Sequence, residues 1–319
     1  MITTRLTSRF DLDIPIVLAP MSQVSDARLA AAVTRAGGLG LLGGGYGDKA
    51  WLEREFDLAT GTRVGCGLIT WSLARQPELL DLVLSRRPAA VFLSFGDPAP
   101  FAEQIRAAGV PLMCQACDLE QARQAVDVGA DVVIAQGGEA GGHGTGARAT
   151  FTLVPEVADL VADRAPETLV LAAGGVVDGR GLAAALALGA DGVVVGTRLW
   201  ASEEAPVHPD AFRSVLAATS DDTVRTSVLD IVRARDWAPP YDGRLLRNAF
   251  IDGWHGREDE LRAHLGDDGF RAEIAAADVD GFHAYVGEGI GLIDEVLPAK
   301  EILRRMVREA SQRTRELSR

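Results

Sequence analysis

The sequence predicts an α/β protein, a (β/α)8 TIM barrel with a helical insertion after strand 8, on three observations. Eight short apolar runs recur between Ile14 and Gly196. Stretches of helical, amphipathic character lie between them. The seventh run leads straight into two glycines and the eighth ends in Gly-Thr, and the loops after strands seven and eight are where such barrels commonly bind phosphate.

In order, the runs are Ile14–Met21, Gly38–Gly44, Val64–Thr70, Ala89–Phe95, Pro111–Ala116, Asp131–Gln136, Leu169–Ala173 and Gly192–Gly196. Their nearly unbroken Val, Ile, Leu and Ala content, in place of strict alternation, suits parallel strands covered on both faces. Helices are expected at Pro77–Arg87, Phe101–Ala108, Leu119–Val128 and Gly181–Leu188. The last three run into Gly109, Gly129 and Gly189, and glycine supplies the left-handed residue just past a helix end. The same rhythm also fits a doubly wound open sheet. After Arg198 it stops. Residues 202–287 carry no apolar run of the earlier kind and contain the break Trp237-Ala-Pro-Pro-Tyr241, so a helical insertion capping the barrel mouth is expected there. Gly289–Leu317 is amphipathic again and is expected to pack back on the barrel, which would then comprise residues 1–201 and 288–319.

A chain of 319 residues accommodates one barrel plus an insertion. With 45 acidic against 32 basic residues the formal charge is −13, which argues against nucleic acid or an anionic membrane as partner. Three cysteines do not make a secreted disulfide scaffold. The polar stretch Met1–Asp13 has no signal-peptide core, and no apolar run of about 18 residues follows, so a cytoplasmic protein is expected. Only Lys49 and Lys300 are lysines, and neither lies in an apolar run, which argues against Schiff-base chemistry.

Gly38-Leu-Gly-Leu-Leu-Gly43 spells a dinucleotide fingerprint, but it follows a helix-like stretch and is itself the second strand, whereas the fingerprint leaves a strand and opens a helix. Gly174, Gly175, Gly196 and Thr197 are the phosphate candidates, because bare backbone N–H groups must converge on the oxygens; tight turns alone are the other reading. Gln136-Gly-Gly-Glu-Ala-Gly-Gly-His-Gly144 follows the sixth strand. An imidazole in a glycine-rich loop at the catalytic end of a barrel suits a general base, so His143 is the catalytic candidate. Glu139 fits a second acid or a solvated or Arg-paired loop residue equally. The strand ends offer too few His, Asp, Glu or Cys for a metal. Cys114 and Cys117 are expected to be core residues, and neither a serine-hydrolase elbow nor a P-loop is present. An apolar, glycine-lined, amide-rich mouth remains, which suits a flat aromatic cofactor carrying phosphate, such as FMN.

Taken together, Pro15–Met21 (PIVLAPM), Ala36–Leu42 (AGGLGLL), Gln136–Gly144 (QGGEAGGHG), Ala173–Val176 (AGGV) and Gly189–Arg198 (GADGVVVGTR) resemble the nitronate monooxygenase (2-nitropropane dioxygenase) family of FMN-dependent TIM-barrel enzymes. The closing Gly287–Pro298 segment shares the likeness. The resemblance implies that His143 takes the α-proton from neutral nitroalkanes, a step that nitronates do not need. It places Met21 beside the flavin, Gln115 and Gln136 in hydrogen bonds to it, and Ala140 and Gly141 along it. Gly174, Gly175, Val194, Val195, Gly196 and Thr197 would wrap the ribityl phosphate. The implied reaction passes one electron from a nitronate to FMN and, with O2, yields a carbonyl compound and nitrite. Many members carry Asn in the third-strand motif where this chain has Gly67, and Trp71 is a candidate to shape that side instead. The same loop occurs in FMN-dependent NAD(P)H reductases of enoyl thioesters or quinones, the alternative activity. A non-catalytic barrel binding a phosphorylated ligand is a third reading, and a homodimer is left open.

Overall fold

The apolar runs form the strands of a barrel. A computed structural model of the chain describes residues 2–267, 270 and 284–317; the remaining positions of the expected insertion, 268, 269 and 271–283, lie outside the described residues. The barrel strands are β1 (Ile16–Leu18), β2 (Leu41–Gly43), β3 (Gly65–Ile69), β4 (Val91–Ser94), β5 (Leu112–Ala116), β6 (Val132–Gln136), β8 (Leu169–Ala173) and β9 (Gly192–Val195). They pair in parallel in the order β1-β9-β8-β6-β5-β4-β3-β2. Two hydrogen bonds bring the ends of that order together: Leu18 N–H donates to the Leu39 carbonyl at 2.9 Å, and Leu39 N–H to that of Ile16 at 3.0 Å. The sheet therefore curls into a barrel rather than lying open.

Alternation along each strand sends side chains to two cores. Val17, Phe92, Met113, Ile134, Leu171 and Val194 fill the interior, while Leu18, Leu93, Cys114, Val133, Ala172 and Val195 face the surrounding helices. The polar N-terminal stretch contributes a helix, Arg5–Phe10, that sends Leu6 and Phe10 into the interior cluster and plugs the end opposite the loops that carry His143. Gly192 has no room for a side chain because a Cβ there would sit 2.7 Å from the Pro15 carbonyl oxygen, with Leu6 Cδ2 at 2.5 Å.

The helices fall close to their expected positions, at Glu78–Ser85, Ala99–Ala107, Leu119–Asp127 and Gly179–Ala187. Gly109, Gly129 and Gly189 take φ of +68°, +73° and +97°, the left-handed exit anticipated for them. Asp26, Asp48, Asp118 and Asp178 each cap a helix start through the side-chain carboxylate. The final helix, Ala299–Leu317, buries Ile302, Leu303 and Met306 in the outer core against the Gly179–Ala187 helix. Glycines of the fingerprint-like stretch serve packing: a Cβ at Gly40 would lie 2.0 Å from the Ala30 carbonyl oxygen.

The segment after β9 is more than helical. Beside the helices Pro209–Ala217, Val228–Val232, Ala249–Trp254 and Glu258–His264, it holds β10 (Thr223–Thr226) and β11 (Asp242–Leu246). These join β7 (Gly142–Gly144), the piece of the β6 loop that carries His143, in an antiparallel sheet of order β10-β11-β7. Sequence patterning missed all three strands because β7 and β11 carry glycine and charge where an apolar run would be.

Candidate active site

The C-terminal ends of the barrel strands surround a cavity of about 850 Å3. Eleven of the twelve residues expected at the site line it: Met21, Gln115, Gln136, Ala140, Gly141, His143, Gly174, Gly175, Val194, Gly196 and Thr197. Val195 does not. Its neighbour Val194 faces the interior, so the two-residue strand period turns Val195 outward into the core beneath the helices, where it is fully buried.

One wall is built from bare backbone. Gly174 and Gly175 sit at φ +100° and +72°, a pair of left-handed residues that glycine adopts without strain. A Cβ at Gly174 would lie 2.9 Å from Thr150 Oγ1. Gly196 and Thr197 stand beside them, with Gly196 near Met21 Sδ. The Thr197 hydroxyl accepts a 2.9 Å hydrogen bond from Gly287 N–H, tying the closing segment to this wall. That segment meets the β6 loop backbone to backbone, since a Cβ at Gly141 would lie 2.5 Å from Gly287 N. Gln136 lines the cavity while its amide donates to the His143 carbonyl at 2.7 Å, and the Gln115 amide lies 3.7 Å from Cys117 Sγ.

His143 occupies the opposite side on β7. Its Nε2 is 3.0 Å from both carboxylate oxygens of Asp230, on the helix Val228–Val232. Trp237 stacks flat on the imidazole, with centroids 3.6 Å apart and planes 7° apart, and the Tyr285 ring lies 5.5 Å away. Trp237 in turn donates to the Tyr46 hydroxyl at 3.0 Å, and Arg235 rests over the Tyr46 ring. Phe95, just after β4, adds its ring 5.0 Å from Trp237 while holding φ +63°. A bulky residue there stores about 1–3 kcal/mol of strain, a cost that the surrounding aromatic packing offsets. Burial raises the Tyr285 phenol above its ordinary range, with Asp230 adding to the effect, and burial raises Tyr46 too. Both hydroxyls keep their protons.

Glu139 lines the cavity too, and its carboxylate is engaged at a helix start. It accepts from Thr150 N–H at 3.0 Å and from Thr150 Oγ1 at 2.9 Å, at the start of the helix Thr150–Arg164. Cys114 and Cys117 are buried as expected of core residues, and burial pushes the Cys114 thiol up to about 12. Trp71 lies behind the cavity wall, edge-on to Trp237 at 5.4 Å and to Tyr46 at 5.9 Å. Among the described residues no His/Cys/Asp/Glu group suited to a metal occurs.

Asp230, Trp237 and Tyr285 went unrecognised in the sequence. Asp230 is 87 positions from His143, and nothing local marks it. The one available signal was the aromatic pair bracketing the Trp237-Ala-Pro-Pro-Tyr241 break, which served only as a boundary.

The family model for nitronate monooxygenase matches residues 3–61 and 69–309, passing over most of β3. The chain is 33% identical to a nitronate monooxygenase of Neurospora crassa, over 95% of this chain and 90% of that one. Among solved structures it resembles FabK of Thermotoga maritima (TM-score 0.84, 30% identity, 100% and 99% of the two chains). It also resembles a nitroalkane oxidase of Streptomyces ansochromogenes (TM-score 0.78, 27% identity, 97% and 99%). With the family match spanning nearly the whole chain and the site residues gathered at one barrel mouth, this protein belongs to the nitronate monooxygenase family and is an oxidoreductase of that type.

Proposed function

We propose that the chain binds FMN and oxidises alkyl nitronates, and neutral nitroalkanes after deprotonation, with O2 to carbonyl compounds and nitrite. The observation that carries this reading is His143, held by Asp230 and Trp237 on the rim of a glycine-walled cavity at the catalytic end of the barrel. The cavity fits FMN: the left-handed pair Gly174-Gly175 with Gly196 and Thr197 leaves bare amides for a phosphate, and Met21, Gln115 and Gln136 lie along the interior for the ring. When bound, FMN supplies the electron acceptor. The protein's own part is to hold the substrate's α-carbon against His143, to move one proton where the substrate still carries it, and to keep water out with the ring cluster of Tyr46, Phe95, Trp237 and Tyr285.

Two variants of one experiment test this. Anaerobic addition of propionate 3-nitronate to the flavin-loaded protein is expected to change the visible flavin bands, and air to restore them. His143→Ala is expected to retain flavin, to lose about 100-fold or more of its turnover of neutral nitroalkanes, and to keep most of its turnover of nitronates. Equal losses on both substrates would remove His143 as the base.

One observation favours a second reading, an NAD(P)H-dependent reductase of enoyl thioesters or quinones. Arg233 and Arg235 both line the cavity, a pairing that suits a phosphate-bearing partner and that the sequence did not suggest. Flavin bands unmoved by the nitronate but bleached anaerobically by NADH or NADPH would establish that alternative.

A further inference from the structure

The insertion does more than cover the mouth. We propose that Asp230 is a positioning residue that holds His143 as its Nε2–H tautomer, so that Nδ1 is the atom that accepts the substrate's α-proton; this deepens the reading of His143 as a base and rests on it.

Both Asp230 oxygens lie 3.0 Å from Nε2, and the carboxylate is 5% and the imidazole 11% exposed, so solvent competes little for the pair. An ionised carboxylate only accepts hydrogen bonds, and a neutral imidazole has one donor. The contact therefore places the proton on Nε2 and leaves the lone pair on Nδ1. Among the described residues Nδ1 takes no hydrogen bond, and it is the one ring nitrogen left to meet a substrate in the cavity that His143 lines. Trp237 fixes the plane of the ring, and Asp230 fixes which edge faces the insertion, since a half-turn about Cβ–Cγ would put carbon against the carboxylate. Both partners ride on one small sheet. Gly243 of β11 pairs with His143 of β7, and β10 pairs with β11 and leads directly into the helix of Asp230.

In the proton transfer the substrate's α C–H bond breaks and an Nδ1–H bond forms, and the released electron pair moves onto the nitro oxygens to give the nitronate. The imidazolium so formed is ion-paired to Asp230 at the distance already present. Among the described residues, the other titratable groups lining the same cavity are Tyr46, Glu139, Arg233, Arg235 and Tyr285.

The test uses the full-length, flavin-loaded protein labelled with 15N-histidine, with the His143 signals identified by their loss in His143→Gln. Long-range proton–nitrogen spectra are expected to show the Nε2–H form in the wild type. In Asp230→Asn, whose amide both donates and accepts, they are expected to show a mixture or the Nδ1–H form. The same variant is expected to lose about tenfold or more in kcat for a neutral nitroalkane, with KM and nitronate turnover within about twofold, and Asp230→Glu to recover most of that loss. An Nδ1–H or doubly protonated imidazole in the wild type would overturn the proposal, and so would equal losses on nitroalkane and nitronate in Asp230→Asn. If Asp230→Asn does not fold, the wild-type spectrum alone still decides. A wild type that oxidises neither substrate would sink the function proposed above, while the spectrum would report separately on the Asp230 contact.

Discussion

Gly67 has no space for a side chain. An ideal Cβ there would lie 2.2 Å from Pro20 Cβ and 2.4 Å from its Cγ, so the proline ring fills the place that a side chain at this position would take. Gly67 sits inside residues 62–68, the stretch that the family match passes over, and borders the cavity. Gly67→Asn is expected to cost about 1–3 kcal/mol through overpacking and to weaken flavin retention, because Pro20 and Gly67 both border the cavity. Thermal unfolding and the flavin content of the purified variant check this. An unchanged midpoint with full flavin would show that Pro20 moves aside freely.

Among the elements, the loop between β6 and the helix Thr150–Arg164 depends on one carboxylate. Ala149 at the helix start has no side-chain cap, and Glu139, eleven residues before Thr150, takes over by accepting from both its N–H and its hydroxyl. Glu139→Gln is expected to lower stability by about 1 kcal/mol and to speed hydrogen exchange at the amides of residues 137–146, with kcat largely kept. Loss of turnover with exchange protection intact would make Glu139 a chemical participant instead. The loop also marks where sequence patterning stops working. Barrel strands buried on both faces leave unbroken apolar runs, so each of the eight was found within a few residues of its place. The Gly-His-Gly of β7 and the charged β11 are strands because backbone pairing and arginine bonds hold them, and no hydrophobic period records that. For the same reason the glycine wall of the cavity was legible in the sequence, whereas Asp230, Trp237 and Tyr285 needed the chain to fold before their proximity existed.

At the scale of the whole molecule, the helix that plugs the barrel and the cavity that holds His143 lie at opposite ends. Phe10 is 1% exposed inside the barrel, with Leu6 beside it, so the N-terminal helix closes the core that every strand shares. At the other end Arg225 of β10 donates to the Gly144 carbonyl at 2.7 Å and to Asp242 at 2.6 Å, clamping the His143 strand to the insertion. Arg244 of β11 adds a 3.1 Å bond to the Gly138 carbonyl and an ion pair with Glu288. Phe10→Ala removes a large buried ring and is expected to cost about 3–5 kcal/mol of global stability. Below its unfolding transition that variant is expected to keep the wild-type ratio of nitroalkane to nitronate turnover, because no group near His143 moves. Arg225→Met should do the reverse. It leaves the barrel core untouched, so denaturant unfolding shifts far less than in Phe10→Ala, while the released β7 lets His143 drift from Asp230 and lowers nitroalkane turnover selectively. Denaturant titration of both variants, paired with initial rates on the two substrates, separates the effects. A Phe10→Ala protein with an altered substrate ratio, or an Arg225→Met protein with the wild-type ratio, would show that barrel and insertion are one mechanical unit rather than a scaffold and the clamp that holds His143.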